Sequence, residues 1–483
     1  MAPSPSSPIK TALGLFRTKS LASSFVSRPA SVSHSVMHSP PSNTQRPPAW
    51  LQRHLDDARP PPKLFAWTPA NLDGAKPGPV ASNHGGKGED LDRRIFILGV
   101  GNIGRLYASH LARHPPATRP PVTLVVHRRE LLAQWASGAG IELVTPGAGG
   151  RSVCDKAGFD VEWWTETAPS HGPVREVVGG RKLRNLVIAT KASAAVPEAD
   201  RMRRYLDAGS AVAFAQNGVC KLWPPHGPAY VAHRYPVADS APSFLACVTS
   251  HGLYSLGPFR SMHAAAADVC VGPVPVRRRH HQPAPRASSA APPCPSAAYL
   301  TCQIATAPDL QGRAVSSAEL WLLQLEKLVY NASINPLTAL LRCKNGGLFE
   351  EPHGVVARVM DRLLDETSRV LQALVVHPST AEILATSAPG EHQQQQLQAR
   401  FAQGRLRETL HAFGAKVAGN SSSMLQDVQA GKPTEVRDFN GWLVDAAAFL
   451  DPSLDMSAHQ AMVDLVESGT VLTKEELGRR LLS

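Results

Sequence analysis

Arg94-Ile-Phe-Ile-Leu98 runs directly into Gly99-Val-Gly101-Asn-Ile-Gly104, and Arg105 to Ala112 then continues without a helix breaker. The apolar, β-branched run reads as a strand, and the glycines read as the turn joining it to a helix. Gly99 permits the tight turn, Gly101 lets the backbone approach a pyrophosphate, and Gly104 allows close helix–strand packing. The helix N-terminus, with Asn102 and Ile103 in its first turn, then faces the phosphates. A GxGxxG string alone is a weak signal. Set between a strand and a helix, it predicts a dinucleotide site rather than an empty glycine-rich turn.

Further strands are expected at Val122 to Val126, Leu186 to Ala189 and Ala211 to Phe214. Strands alternating with helical stretches imply a parallel α/β sheet. From Ser316 the texture changes. Ser316-Ser317 followed by Glu319 resembles a helix N-cap, and helical patterns follow at 355–375, 396–413, 436–449 and 457–467. The expected architecture is therefore α/β, with an N-terminal Rossmann-type dinucleotide-binding domain over 91–315 and an all-α C-terminal domain over 316–483. Pro336 should end or kink its helix at Asn335.

Residues 1–90, rich in Ser, Pro and Ala, read as a disordered leader. Within it Ile9, Leu13, Phe16, Leu21 and Phe25 can share a helical face flanked by Lys10, Arg17 and Lys19. That acid-poor, amphipathic pattern is the signature of a mitochondrial transit peptide, so a mitochondrial location is expected, with a plain tail and a cytoplasmic location as the alternative. Residues 273–297 read as a Pro/Arg-rich insertion, and 130–185 fits no pattern.

Composition narrows the function classes. The 483 residues carry 50 Lys plus Arg against 39 Asp plus Glu, a net +11. The basic stretches, residues 1–55 and Arg277-Arg278-Arg279, lack aromatic interleaving and any recognition motif, so no nucleic-acid partner is expected. No apolar run approaches the ~18 residues of a membrane span, so no membrane association is expected. The seven cysteines are scattered without a CxxC pair, which fits neither a zinc site nor a disulfide framework.

Which dinucleotide binds is decided where the second strand ends. His127-Arg128-Arg129 stands where an NAD site usually places a carboxylate for the ribose 2′-hydroxyl. Arg128 or Arg129 can pair with a 2′-phosphate, which favours NADPH; Glu130 keeps NAD open. Further on, Lys327, Asn331 and Asn335 fall at i, i+4 and i+8 on one helix stripe. They suit an anionic, oxygen-rich substrate as well as they suit a polar face turned to water. Ser423 and Glu435, taken alone, read as helix caps.

Together these stretches resemble the ketopantoate reductase (2-dehydropantoate 2-reductase) family. The likeness is carried by GVGNIG at 99–104, Lys191 in Ala189-Thr190-Lys191, and Gln216-Asn217-Gly218. It continues through KLVYNASINPLTALLRCKNGGL at 327–348 and SSMLQDVQAGKPTE at 422–435, in the family's order over roughly 93–470. The resemblance implies that Lys327 is the catalytic lysine and Glu435 a second active-site carboxylate. It further implies that Asn331, Asn335 and Ser423 bind substrate, and that Lys191 and Asn217 line the cofactor and substrate cleft. The implied activity is NADPH-dependent reduction of 2-dehydropantoate to (R)-pantoate, in pantothenate biosynthesis, by a monomer or homodimer that needs no metal. The alternatives are a reductase of another branched 2-keto acid, a non-catalytic nucleotide-binding mitochondrial protein and, against the composition, a nucleic-acid binder acting through the basic tail and Arg277–Arg279.

Overall fold

The computed structural model describes residues 47–74, 90–146, 150–276, 294–384 and 391–482. The strands are β1 (Phe65–Trp67), β2 (Ile95–Leu98), β3 (Val122–Val126), β4 (Gly140–Val144), β5 (Arg151–Asp155), β6 (Phe159–Thr165) and β7 (Asn185–Ile188). They continue as β8 (Ala211–Phe214), β9 (Ser243–Thr249), β10 (Gly252–Gly257), β11 (Arg260–Ala265), β12 (Val269–Pro273) and β13 (Gly312–Ala314). The helices before the helical half are α1 (Ala49–Asp56), α2 (Asn102–Leu111), α3 (Arg129–Ser137), α4 (Ala192–Arg201), α5 (His226–Arg234) and α6 (Pro295–Ala305).

Nine strands form one sheet in the order β1-β6-β3-β2-β7-β8-β9-β12-β13. The six from β6 to β9 are all parallel. Their order is the doubly wound one, with the chain reversing direction across the sheet between β2 and β7, where such folds bind ligands. Each of β2, β3, β7 and β8 is buried along its whole length, which is why they read as short, mostly apolar runs, with Thr123 in β3 and Asn185 in β7 as the polar exceptions. The remaining strands make a second sheet, β10-β11-β4-β5, packed on α2.

Strand β6 lies in the stretch that fitted no pattern. Asp160 and Glu162 interrupt its apolar residues; Glu162 is buried, Asp160 is partly exposed, and each is paired with an arginine. Arg94 pairs with Asp160, Arg175 with Glu162, and Trp164 Nε1 donates to Glu162 Oε2 at 2.6 Å. An ion pair formed across 66 residues leaves no local signal.

The expected leader is too long. Within the described residues, 47–67 folds onto the sheet: Leu51, Leu64 and Ala66 are buried, and β1 pairs antiparallel with β6. An eight-residue helix and a three-residue strand separated by Pro60-Pro61-Pro62 are too short to show periodicity. The candidate targeting helix lies outside the described residues, as does Arg277-Arg278-Arg279. The expected insertion is also narrower. Val274 and Val276 are buried, and α6 begins at Pro295 and buries Leu300 and Ile304, so both ends of 273–297 belong to the core.

Beyond β13, every regular element among the described residues is helical: α7 (Ser317–Leu341), α8 (Val355–Leu374), α9 (Ala381–Leu384), α10 (Glu391–Arg400), α11 (Gln403–Lys416), α12 (Ser423–Gln429), α13 (Val436–Leu450), α14 (Ser457–Glu467) and α15 (Lys474–Leu481). Ser316 caps α7 by accepting from the Glu319 amide at 3.2 Å. The expected helix over 396–413 is two helices, α10 and α11, broken where Phe401 turns into the core.

Helix α7 does not end at Pro336; it runs through it to Leu341. Proline lacks the N–H that would bond the carbonyl four residues back, Ala332. Asn440 on α13 supplies the missing donor, its Nδ2 reaching Ala332 O at 2.9 Å. The other Nδ2 hydrogen goes to His459 Nδ1 at 3.0 Å. A tertiary contact thus overrides the local rule and keeps the stripe bearing Lys327, Asn331 and Asn335 on one continuous helix.

Candidate active site

The ends of the parallel strands and one face of α7 form the site. The glycine turn divides its labour as the sequence suggests. Gly99 adopts φ +96°, and a Cβ there would meet Ala189 O at 2.8 Å; a Cβ on Gly104 would meet Gly99 O at 2.0 Å. A Cβ on Gly101 would meet nothing within 4 Å. Two glycines therefore serve packing, and the middle one leaves open space at the start of α2, where Asn102 and Ile103 begin the helix and no side chain caps it.

At the end of β3, Arg128 and Arg129 have different roles. Arg129 Nη2 donates to Asp73 Oδ2 at 2.6 Å, and its guanidinium lies over the Trp67 ring. Arg128, about half exposed, is hydrogen-bonded to His127 and stands 3.8 Å from Glu130. Arg128 is the arginine presented at the strand end.

Lys327 reaches from α7 to the ends of β8 and β9. Its Nζ donates to Asn217 Oδ1 at 3.0 Å and to Thr249 O at 2.5 Å. Burial lowers its pKa to about 8, against the upward pull of the Glu435 and Asp268 charges. A lysine with that pKa is a usable proton donor near neutrality. Glu435 is buried, and its Oε1 accepts from the Ala192 amide at 3.0 Å, which caps the first turn of α4. Burial raises its pKa despite the opposing Lys191 charge and that amide.

Lys191, the residue before α4, lies 2.5 Å from Asp427 Oδ2 and 3.6 Å from Glu435 Oε2. Burial would lower its pKa, but the two carboxylates outweigh this and hold it above the usual lysine value. Asp427 was not singled out from the sequence. It sits four residues beyond Ser423 on α12, and that spacing was the available signal. Ser423 opens α12 and is partly buried, whereas its neighbour Ser422 is the true cap, accepting from the Leu425 amide and contacting Thr338 Oγ1 at 2.7 Å.

Asn331 and Asn335 follow Lys327 along α7, and Asn335 is buried. Asn331 Nδ2 is buried without a hydrogen-bond partner, as are both amide atoms of Gln216 beside Asn217. Buried polar groups normally find partners, so orphaned ones at a strand end and on the facing helix point to a ligand. Together with the open space at Gly101, they fit a dinucleotide and an oxygen-rich substrate. Among the described residues no group of three or more His, Cys, Asp or Glu could hold a metal ion, and no helix is long and apolar enough to cross a membrane.

The ketopantoate reductase PanE/ApbA family model matches residues 95–275, and the model of its C-terminal half matches 319–468. The chain belongs to the ketopantoate reductase family. It is thus an oxidoreductase acting on a 2-keto acid. The ketoisovalerate reductase BEA2 of Gibberella fujikuroi is 49% identical to this reductase over 91% of the chain and 100% of the relative. The ketoisovalerate reductase of Beauveria bassiana is 45% identical over 90% of the chain and 99% of the relative. Among solved structures, a PanE/ApbA family ketopantoate reductase from Ralstonia eutropha superposes with a TM-score of 0.51 at 17% identity. That match covers 80% of this reductase and 99% of the solved chain, and it shows the shared fold.

Proposed function

We propose that the protein reduces 2-ketoisovalerate to 2-hydroxyisovalerate with NADPH, rather than acting chiefly on 2-dehydropantoate. The observation that carries the chemistry is the Lys327 ammonium, held between Asn217 and Thr249. The choice of substrate is supported by the two relatives of 49% and 45% identity named ketoisovalerate reductase, against 28% for a 2-dehydropantoate 2-reductase of Halobacterium salinarum. The two acids differ by one hydroxymethyl group. A pocket that hydrogen-bonds that hydroxyl rejects the acid lacking it; one that does not bond it discriminates weakly.

A nicotinamide dinucleotide held on the Gly99–Gly104 turn would supply the hydride. Lys327 Nζ gives a proton to the keto oxygen as it becomes an alkoxide. Lys191 and the free Nδ2 of Asn331 fit the substrate's carboxylate and carbonyl oxygens, with Asn335 and Ser423 alongside. Glu435, fixed on the Ala192 amide, holds Lys191 in place. Arg128 meets the 2′-phosphate of NADPH, which favours NADPH over NADH.

Initial rates on a panel of 2-keto acids with either cofactor test this reading. The expected result is a higher kcat/KM for 2-ketoisovalerate than for 2-dehydropantoate, with NADPH preferred. A preference for 2-dehydropantoate would restore the biosynthetic assignment, and equal use of NADH would remove the role given to Arg128. The pH dependence has a definite sign. Reduction needs protonated Lys327, so the rate should fall as pH rises through about 8, while oxidation of the hydroxy acid should accelerate over the same interval. A reduction rate flat from pH 7 to pH 9 would exclude Lys327 as the acid.

A further inference from the structure

Arg105 follows the last glycine of the turn and is buried in the first turns of α2. Its Nε donates at 3.0 Å to the carbonyl of Val100, in the middle of the turn. Its Nη1 faces Gly257 O at 2.9 Å, Ser261 Oγ at 3.1 Å and the carbonyl of Arg260. Those three oxygens belong to the end of the β10–β11 hairpin. Ser261 Oγ in turn donates to Asn102 Oδ1 at 2.8 Å. The hairpin is therefore tied to the residues on both sides of Gly101, the open point of the cradle.

These contacts engage Nε and Nη1 of Arg105 but leave its charge uncompensated. No carboxylate pairs with it among the described residues. The acid on the neighbouring strand, Glu142, is engaged by Arg260 at 3.0 and 3.2 Å. Burial pulls the Arg105 pKa down to about 10, with no acid to lift it back, so the group is still charged at neutral pH. A buried cation without a counter-ion is unfavourable in the free protein and favourable once an anion arrives.

We propose that Arg105 is a cofactor-affinity residue, a cation held by the β10–β11 hairpin beneath the phosphate turn to stabilise the dinucleotide pyrophosphate. The inference rests on reading Gly99–Gly104 as the dinucleotide turn. It adds a second positive group to the one at the ribose end, Arg128, and it gives the four-stranded sheet a function.

Calorimetric titration of the full-length protein with NADPH, and separately with adenosine 2′-monophosphate, tests it. The second probe keeps the 2′-phosphate and lacks the pyrophosphate. Arg105→Met and Arg105→Gln should each raise the Kd for NADPH about tenfold, the scale of one unscreened charge at short range, and should weaken its salt dependence. Arg105→Lys should stay near the wild-type value, and adenosine 2′-monophosphate should bind all four proteins alike. Unchanged NADPH binding in either neutral variant would overturn the proposal, as would equal losses for both probes. Failure of the wild-type protein to bind NADPH would instead overturn the reading of the turn itself.

Discussion

Lys327→Ala is expected to lower kcat for the keto acid by about 10²–10⁴-fold, the range for loss of a positioned general acid, while the Kd for NADPH stays within experimental error. The split follows from where the lysine is held. Its ammonium contacts Asn217 Oδ1 and Thr249 O at the strand ends, while the glycine turn that cradles phosphates lies on α2. Arginine should not rescue the variant, because a guanidinium keeps its proton to far higher pH and is a poor donor. Glu435→Gln is the informative partner. It keeps an oxygen for the Ala192 amide but removes a charge that supports Lys191 and Lys327. If the lysine and the carboxylate act as one unit, the double variant will be no slower than the worse single variant. Near-normal kcat in Lys327→Ala would return the stripe on α7 to an ordinary polar face.

A chain starting at residue 91 is expected not to fold, whereas a chain starting at 47 keeps every described residue and should fold. Residues 47–67 bury Leu51, Leu64 and Trp67, and Trp67 Nε1 donates to Thr167 O at 2.8 Å. The Leu64 amide donates to the hydroxyl of fully buried Tyr205 at 2.8 Å, and Arg234 donates to Asp57 O. At about 1.5–3 kcal/mol per large apolar side chain, the three together contribute roughly 4.5–9 kcal/mol. That rivals the whole stability of a typical domain, about 5–15 kcal/mol. Calorimetric melts of chains starting at 47 and at 91 decide the matter; equal midpoints would mean that the segment is only draped over the sheet.

The parts of the fold legible in the sequence were those whose cause is local. Strands β2, β3, β7 and β8 are mostly apolar because both faces are covered, and Gly99, Gly101 and Gly104 mark the turn after β2 by their spacing between a strand and a helix. The parts that were not legible depend on distant partners. The acids in β6 are acceptable only because Arg94 and Arg175 arrive from elsewhere, and Pro336 remains helical only because Asn440 reaches Ala332. In the site, the i, i+4, i+8 stripe was visible as geometry, but its meaning came from resemblance. Asp427, Gln216 and Arg105 were not singled out, because each acquires its role from a group more than 100 residues away or from a missing partner.

The proposed acid of this enzyme is assembled across the chain. Lys327 belongs to the helical half by sequence, yet the two oxygens that hold its ammonium come from β8 and β9, and Glu435 is anchored to the backbone amide that starts α4. Neither half is a transferable cassette. A recombinant that joined residues 1–315 to the helical half of a distant reductase would set a foreign lysine against the Asn217 and Thr249 oxygens and a foreign carboxylate against the Ala192 amide, and both must dock in register. Exchange at that junction should yield activity only when the asparagine after β8, the start of α4 and the facing helix come from one lineage, so these positions are constrained to evolve together.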